Sequence, residues 1–218
     1  MDVARVEGGE TLAHAVDRVG VPTGGPVLVV VGGADGVDPG ETSSMDTLLR
    51  EVVLPVIVSV GGAVVDGGTD SGVMRSLGLA VAAADRPVPL VGVTVASLVR
   101  SPEGSGEDTA LEPHHTHVLL VDGTEWGDES EALAEVAHLL AAGAPTATLL
   151  VNGGEVSRSD VDHSLRLGRP VVAVAHSGRL ADELAAARPD GVVVLEPGWP
   201  VDVQRRMLAG LLGAGSAG

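Results

Sequence analysis

The chain has 218 residues and a formal net charge of −17, from 30 acidic side chains against 13 basic ones, every one of them arginine. That length suits one large domain with a substantial core, and the absence of Cys excludes disulfide frameworks and thiolate metal sites. An acidic surface repels a nucleic-acid backbone, and Trp126 and Trp199 are the only aromatics available to stack on bases, which argues against DNA or RNA as a partner.

The start, Met1-Asp2-Val3-Ala4-Arg5, lacks the basic-then-apolar layout of a signal peptide. The longest apolar stretch, 52–65, is interrupted by Pro55, Ser59 and Gly61-Gly62 and is too short to span a membrane. A cytoplasmic protein with no membrane contact is the expectation.

Helical spacing of Leu12, Ala15, Val16 and Val19 predicts a helix over 11–19. The β-branched run Val27-Leu28-Val29-Val30-Val31 predicts a strand buried on both faces, ending at Gly32-Gly33-Ala34. Thr42 or Ser43 is placed to cap a helix through Met45, Leu48, Leu49 and Val52. Val56-Ile57-Val58 has strand propensity but lies too close to the strand at 63–65 for both to stand alone, so this region stays ambiguous. A helix over 72–84 and a strand over 89–95 follow. The polar, acidic segment 101–112 reads as a mobile surface loop.

A strand at 117–121 ends at Asp122-Gly123-Thr124, and 129–142 is an amphipathic helix with Leu133, Val136, Ala137 and Leu140 on one face. The strand at 147–151 ends at Asn152-Gly153-Gly154, before a helix over 160–167. The strand at 170–175 ends at His176-Ser177-Gly178, before a helix over 180–187. A last strand at 192–195 and a last helix at 201–212 close a single domain over 1–212, with 213–218 as a disordered tail. Strands alternating with helices predict an α/β, Rossmann-like open sheet, mostly parallel, of about seven strands with helices on both faces. In such sheets ligands sit outside the carboxyl ends of the strands.

These four glycine-containing turns, at 32–34, 122–124, 152–154 and 176–178, fall at that edge together with a fifth. The most informative is Val65-Asp66-Gly67-Gly68-Thr69-Asp70-Ser71-Gly72-Val73-Met74, where a strand runs into two glycines and a helix start. Gly68 has no Cβ to keep a ligand from the backbone. The first amides of the following helix have no intrahelical partner, which favours an anionic ligand such as phosphate. Asp66 and Asp70 read either as acceptors for ribose hydroxyls or as turn caps, and Trp126 as core filling unless a ligand claims it.

The segments Gly32-Gly33-Ala34, 67–74, His115-Thr116-His117, Asp122-Gly123-Thr124, Gly153-Gly154 and Ser177-Gly178-Arg179-Leu180-Ala181-Asp182 occur in one order. Together, over about 27–187, they resemble the SLOG superfamily, in particular the prokaryotic stand-alone relatives of the cytosolic SLOG domain of TRPM cation channels. The resemblance implies a Rossmann-like fold that binds a nucleotide-derived ligand such as ADP-ribose, NAD or AMP. It implies phosphate-side loops at Gly32, Gly33 and Ala34 and at Gly67, Gly68, Thr69 and Gly72. It assigns the nucleobase contact to Trp126, and ligand contacts to Gly153, Gly154, Glu155, Ser177 and Gly178. Arg179 takes the place of the family arginine that meets phosphate or ribose oxygens. His176 replaces the glycine that opens that family motif, and Glu129, Glu131, Leu133 and Glu135 stand where the channel domains carry a basic residue.

A more distant branch of the superfamily hydrolyses nucleotide N-glycosidic bonds with a Pro-Gly-Gly-x-Gly-Thr-x-x-Glu motif. The corresponding stretch, 152–160, keeps the paired glycines and ends on Asp160, without the Pro and the Gly-Thr pair. The alternative function is therefore a phosphoribohydrolase-like enzyme with Asp160 or Glu155 as its carboxylate.

His114, His115 and His117 suggest a metal, with 115 and 117 on one face of a strand, but no carboxylate set of metal-site spacing completes the shell, so structural hydrogen bonding is the expected role. No metal and no required cofactor are expected beyond the nucleotide ligand. Ser177 beside His176 lacks a nucleophile-elbow pattern. Homodimerisation is compatible with every reading.

Overall fold

The computed structural model describes residues 1–33, 39–100 and 109–214, and the side chains of all of these except 39–43. Strand β1 (Asp2–Arg5), helix α1 (Leu12–Val19) and strand β2 (Val27–Gly32) open the chain. Thr11 caps α1 by accepting from the His14 amide, and Gly20 ends it in the left-handed conformation. Helix α2 (Pro39–Leu48), a π-helical segment (Leu49–Val53) and helix α3 (Leu54–Val60) then follow without a break. Val56-Ile57-Val58 therefore lies in a helix. Burial of Leu54, Val56 and Ile57 against the sheet outweighs their strand propensity.

Gly61 stops α3 and β3 (Ala63–Asp66) begins at once. Next come α4 (Gly72–Ala82), β4 (Leu90–Val95), the short parallel pair β5 (Val99–Arg100) and β6 (Thr109–Ala110), and β7 (His117–Val121). The rest alternates as α5 (Ser130–Ala141), β8 (Thr146–Val151), α6 (Glu155–Arg166), β9 (Val171–Val174), α7 (Arg179–Ala187), β10 (Val192–Leu195) and α8 (Val201–Leu211). The expected tail begins within the turn after α8, and 215–218 lie outside the described residues, as do Ala34 and 101–108.

The main sheet has eight strands in the order β1-β7-β4-β3-β2-β8-β9-β10, all parallel. The strand beyond the expected seven is β1, whose short, polar Asp-Val-Ala-Arg sequence gains strand structure only by pairing with β7 at the sheet edge. From β2 the chain builds outward through β3, β4 and β7, then returns to lay β8, β9 and β10 on the other side of β2. The order reverses between β2 and β8, and the crevice outside their carboxyl ends is the topological switch point.

Alternation along each strand fills two cores. Leu28, Val30, Val64, Leu149, Val151, Val172 and Val174 face the π-helical segment, α3, α4 and α8, where Leu49, Ile57, Leu77 and Leu208 meet them. Val27, Val29, Val31, Val65, Val93 and Leu119 face the opposite layer, packed by Val16 of α1, Val136 of α5, Val161 of α6 and Leu180 of α7. Among the described residues no helix is long and apolar enough to cross a membrane.

Candidate ligand-binding site

At the switch point β2 and β8 approach so closely that a Cβ on Gly32 would collide with the Val151 carbonyl oxygen. Beyond β8 the chain turns sharply: Asn152 has φ 57° and Gly153 φ 94°. The turn beyond β9 matches it, with His176 at φ 60°, Gly178 at φ 100° and Arg179 at φ 46°. Asn152 and His176 are residue types that enter the left-handed region readily, whereas Arg179 is not, so its φ marks backbone that the surroundings hold in place.

Ser177 staples the two loops together, donating from Oγ to the Val174 carbonyl at 2.6 Å and accepting from the Asn152 amide at 2.8 Å. With both bonds spent on backbone, it positions the loops. The amide of Ala181 donates to the Asn152 carbonyl at 2.9 Å and that of Leu180 to the Gly153 carbonyl at 3.3 Å, tying the start of α7 to the β8 loop.

The Arg179 guanidinium consequently lies over Gly154, with Nη2 3.1 Å from where a Cβ on that glycine would stand. Gly154 is the N-cap residue of α6 and offers no side-chain cap, as Gly178 offers none to α7. The first amides of α6 point to the edge with no intrahelical partner. Arg179 is exposed and forms no ion pair among the described residues, whereas Arg18, Arg75 and Arg158 pair with Glu10, Asp70 and Glu183. An unpaired guanidinium above an uncapped helix N-terminus concentrates positive potential in a protein of net charge −17.

The Trp126 loop abuts the same helix start. A Cβ on Gly127 would lie 3.7 Å from Cγ2 of Val156 in the first turn of α6. Asp128 accepts from the amides of Thr124 at 2.8 Å and Glu125 at 3.1 Å, and Glu129 accepts from the Gly127 amide at 2.8 Å. Trp126 is 44% exposed, so it is not core filling. The two carboxylates expected from the sequence separate here. Glu155 is exposed at the first position of α6, whereas Asp160 is buried and faces Ser130 and Glu129 of the α5 layer. Burial, reinforced by the nearby Glu129 charge and opposed by Ser130, raises Asp160 to about 7.

The turn after β3 is built differently. Gly68, at φ 69°, packs its α-carbon side against the Gly92 backbone of β4, and its amide donates to Asp66 Oδ1 at 2.7 Å. The missing Cβ at Gly68 thus serves close contact within the fold. Thr69 is buried and its Oγ1 is 3.0 Å from Ser71 Oγ, while Gly67 and Gly72 border the turn and start of α4. Asp70 is held by Arg75, whose Nε donates to Oδ1 at 2.8 Å.

Asp66 turns inward to a buried triad that gives His115 the expected hydrogen-bonding role, with two carboxylate partners the sequence did not suggest. His115 places Nε2 2.7 Å from Asp66 Oδ1 and Nδ1 2.8 Å from Glu112 Oε2, and Glu112 Oε1 lies 2.6 Å from His114 Nδ1. Glu112, expected in a surface loop, is fully buried, and its amide donates to the Gly68 carbonyl at 3.0 Å. His115 precedes β7, and His117 bonds Thr116 Oγ1 through Nδ1 at 2.8 Å, so the two imidazoles do not converge. Among the described residues no group of three or more His, Asp or Glu is arranged to hold a metal.

A family model described as "SLOG in TRPM, prokaryote" matches residues 25–205. Transient receptor potential cation channel subfamily M member 2 of Mus musculus is 24% identical over 179 residues, 65% of this chain but only 12% of the channel. Among solved structures, TM1055 superposes with a TM-score of 0.57 at 20% identity, covering 84% of this chain and 98% of its own. The molybdenum cofactor carrier protein of Chlamydomonas reinhardtii gives 0.59 at 17% identity, covering 86% and 98%. These structural likenesses bear on the fold.

Proposed function

The chain belongs to the prokaryotic SLOG family related to TRPM channels, and from that premise and the geometry above we propose that it binds a nucleotide-derived ligand of the ADP-ribose, NAD or AMP type. The observation that carries the reading is the unpaired Arg179 guanidinium over Gly154 at the switch point. Phosphate oxygens sit between that guanidinium and the first amides of α6, and the base lies on Trp126, whose loop abuts the same helix. The protein acts as a ligand sensor or carrier. The hydrolytic alternative needs a carboxylate at the edge to support oxocarbenium character and position water. Glu155 is there, but Asp160 faces α5, so binding without turnover is the better-supported reading.

A thermal-shift series with ADP-ribose, NAD, AMP, ADP and unphosphorylated adenosine tests it. A ligand at about a hundred times its dissociation constant adds ~2.7 kcal/mol to stability. Arg179→Ala is expected to weaken the phosphorylated ligands and leave adenosine unchanged. No shift with any nucleotide overturns the proposal, and equal losses for both classes overturn the role of Arg179. Chromatography of the same mixtures for released base decides whether turnover accompanies binding.

A further inference from the structure

The two edges of the main sheet are guarded differently. β1 reads Asp-Val-Ala-Arg, with an exposed charge at each end, whereas β10 at the opposite edge reads Val-Val-Val-Leu and carries none. An uncharged, unbroken edge strand is open to pairing with a further strand, and charges are a common means of preventing it. A groove of about 300 Å3 follows β10, lined by Val192, Val193, Val194, Glu196, Arg188 and Trp199. Residues from both faces of the strand line it, so it runs along the edge. Among the described residues no strand pairs with β10 other than β9, and Trp199 is 39% exposed beside it.

The hydrogen-bonding groups on that edge specify what it accepts. The amides of Val171 and Ala175 donate to the Gly191 and Leu195 carbonyls at 2.9 Å, and the parallel register sets Val193 between them, so these three residues of the β10 segment address β9. Alternation along a parallel ladder then turns the N–H and C=O groups of Val192 and Val194, and the N–H of Glu196, outward. The Val192 amide is committed to the Pro189 carbonyl at 3.0 Å, and the Glu196 carbonyl accepts from the Trp199 amide at 3.0 Å. The Val192 carbonyl, both groups of Val194 and the Glu196 amide meet no partner among the described residues.

A second β10, antiparallel about a two-fold axis at Val194, matches all four. The two Val194 residues exchange both of their bonds, and each Val192 carbonyl accepts from the Glu196 amide of the other copy. Pairing Val192 with itself or with Val194 instead places the committed Val192 amide where a free donor is needed. The antiparallel arrangement also brings the Arg188 end of each strand to the Glu196 end of the other. Arg188 forms no ion pair among the described residues, and Glu196 has only the His176 imidazole, with Nε2 3.4 Å from Oε2. In a chain of net charge −17, which repels its own copies, this edge supplies one charge of each sign.

We propose that two copies of this chain associate through β10, antiparallel and centred on Val194, so that two eight-stranded sheets become one. The interface is independent of the ligand reading above.

Sedimentation velocity over a concentration series tests it, and the wild-type chain is expected to reach the mass of a dimer. Val194→Pro removes the outward amide while leaving the bonds to β9, a change that edge strands tolerate. It should weaken association by roughly tenfold or more. Because the chain has no cysteine, engineered thiols report the register. Residues that exchange both bonds lie about 5.5 Å apart at Cα, within disulfide reach, so Val194→Cys should cross-link on oxidation. Val193→Cys faces Leu195 of the other copy and should not. A wild type that stays monomeric throughout the series overturns the proposal. Association unchanged in folded Val194→Pro, or a dimer that cross-links at 193 and not at 194, overturns its location. The two cysteine variants decide the matter if Val194→Pro does not fold.

Discussion

Asp66 and His115, 49 positions apart in sequence, meet through Oδ1 and Nε2 at 2.7 Å with both side chains shut off from solvent. The same Asp66 oxygen accepts from the Gly68 amide, so one carboxylate oxygen ties the end of β3 to its own turn and to the segment before β7. Glu112 completes the arrangement from the other side of the imidazole. Two carboxylates around one imidazolium fix the base of the glycine-rich turn that leads into α4.

Stability should therefore fall in mild alkali. Burial opposes the charge on His115, but the carboxylates of Asp66 and Glu112 outweigh it and lift its pKa from 6.5 to about 10. The folded protein keeps a proton that the unfolded chain releases above 6.5. This contribution is complete below that value and is lost as pH rises through about 10. Chemical denaturation between pH 6 and 10.5 should show a decline of up to ~1.4 kcal/mol per pH unit, and His115→Gln should flatten it. His115→Ala, which leaves two buried carboxylates facing each other, is expected to cost ~3–5 kcal/mol at pH 7. A pH profile shared by wild type and His115→Gln would contradict a charged His115.

Two glycines in helices should respond oppositely to the same change. A Cβ on Gly78 of α4 would overlap the buried Glu112 carboxyl group, which is fixed by its two histidines and has nowhere to move. Gly78→Ala should destabilise by at least ~2 kcal/mol, within the usual range for overpacking. Gly210 of α8 has open space around its Cβ position and an ordinary backbone. Gly210→Ala should stabilise by ~0.5–1 kcal/mol through the unfolded chain. Urea melts of the two variants provide the comparison.

Much of the architecture was legible because it depends on local periodicity. The unbroken run Val27-Leu28-Val29-Val30-Val31 announces a strand covered on both faces, and it became the inner strand at the switch point. The glycine turns after β2, β8 and β9 marked the edge where Arg179, Gly154 and the Trp126 loop assemble. What escaped depends on contacts between distant segments. Glu112 reads as one acid in a polar loop, and only the fold sets it against His115 and beneath Gly78. β1 is too short and polar to signal a strand without β7 beside it. The unsatisfied oxygen of Asn152 and the left-handed backbone at Arg179 leave no trace in residue type.

The carboxyl pair beneath the Trp126 loop yields a pH dependence of the same sign in a more acidic window. Burial, with the Glu129 charge adding to it and Ser130 opposing, raises Asp160 from 3.8 to about 7. Burial likewise raises Glu129, partly offset by its bonds to backbone amides, while the neighbouring Asp128 charge adds a smaller push. For Asp160 the unfolded chain ionises first as pH rises, so stability falls between about 4 and 7 and is level above. Asp160→Asn removes that cost and should stabilise the protein by roughly 2–4 kcal/mol at pH 8, with no gain near pH 4. Ionised Asp160 also sets a second negative charge against the Glu129 carboxylate that accepts from the Gly127 amide at 2.8 Å. The loop carrying Trp126 should loosen over the same interval. In a Trp199→Phe background, Trp126 fluorescence is expected to titrate with a midpoint near 7. Adding Asp160→Asn should abolish the transition, whereas a midpoint that survives this substitution would assign the titration to another group.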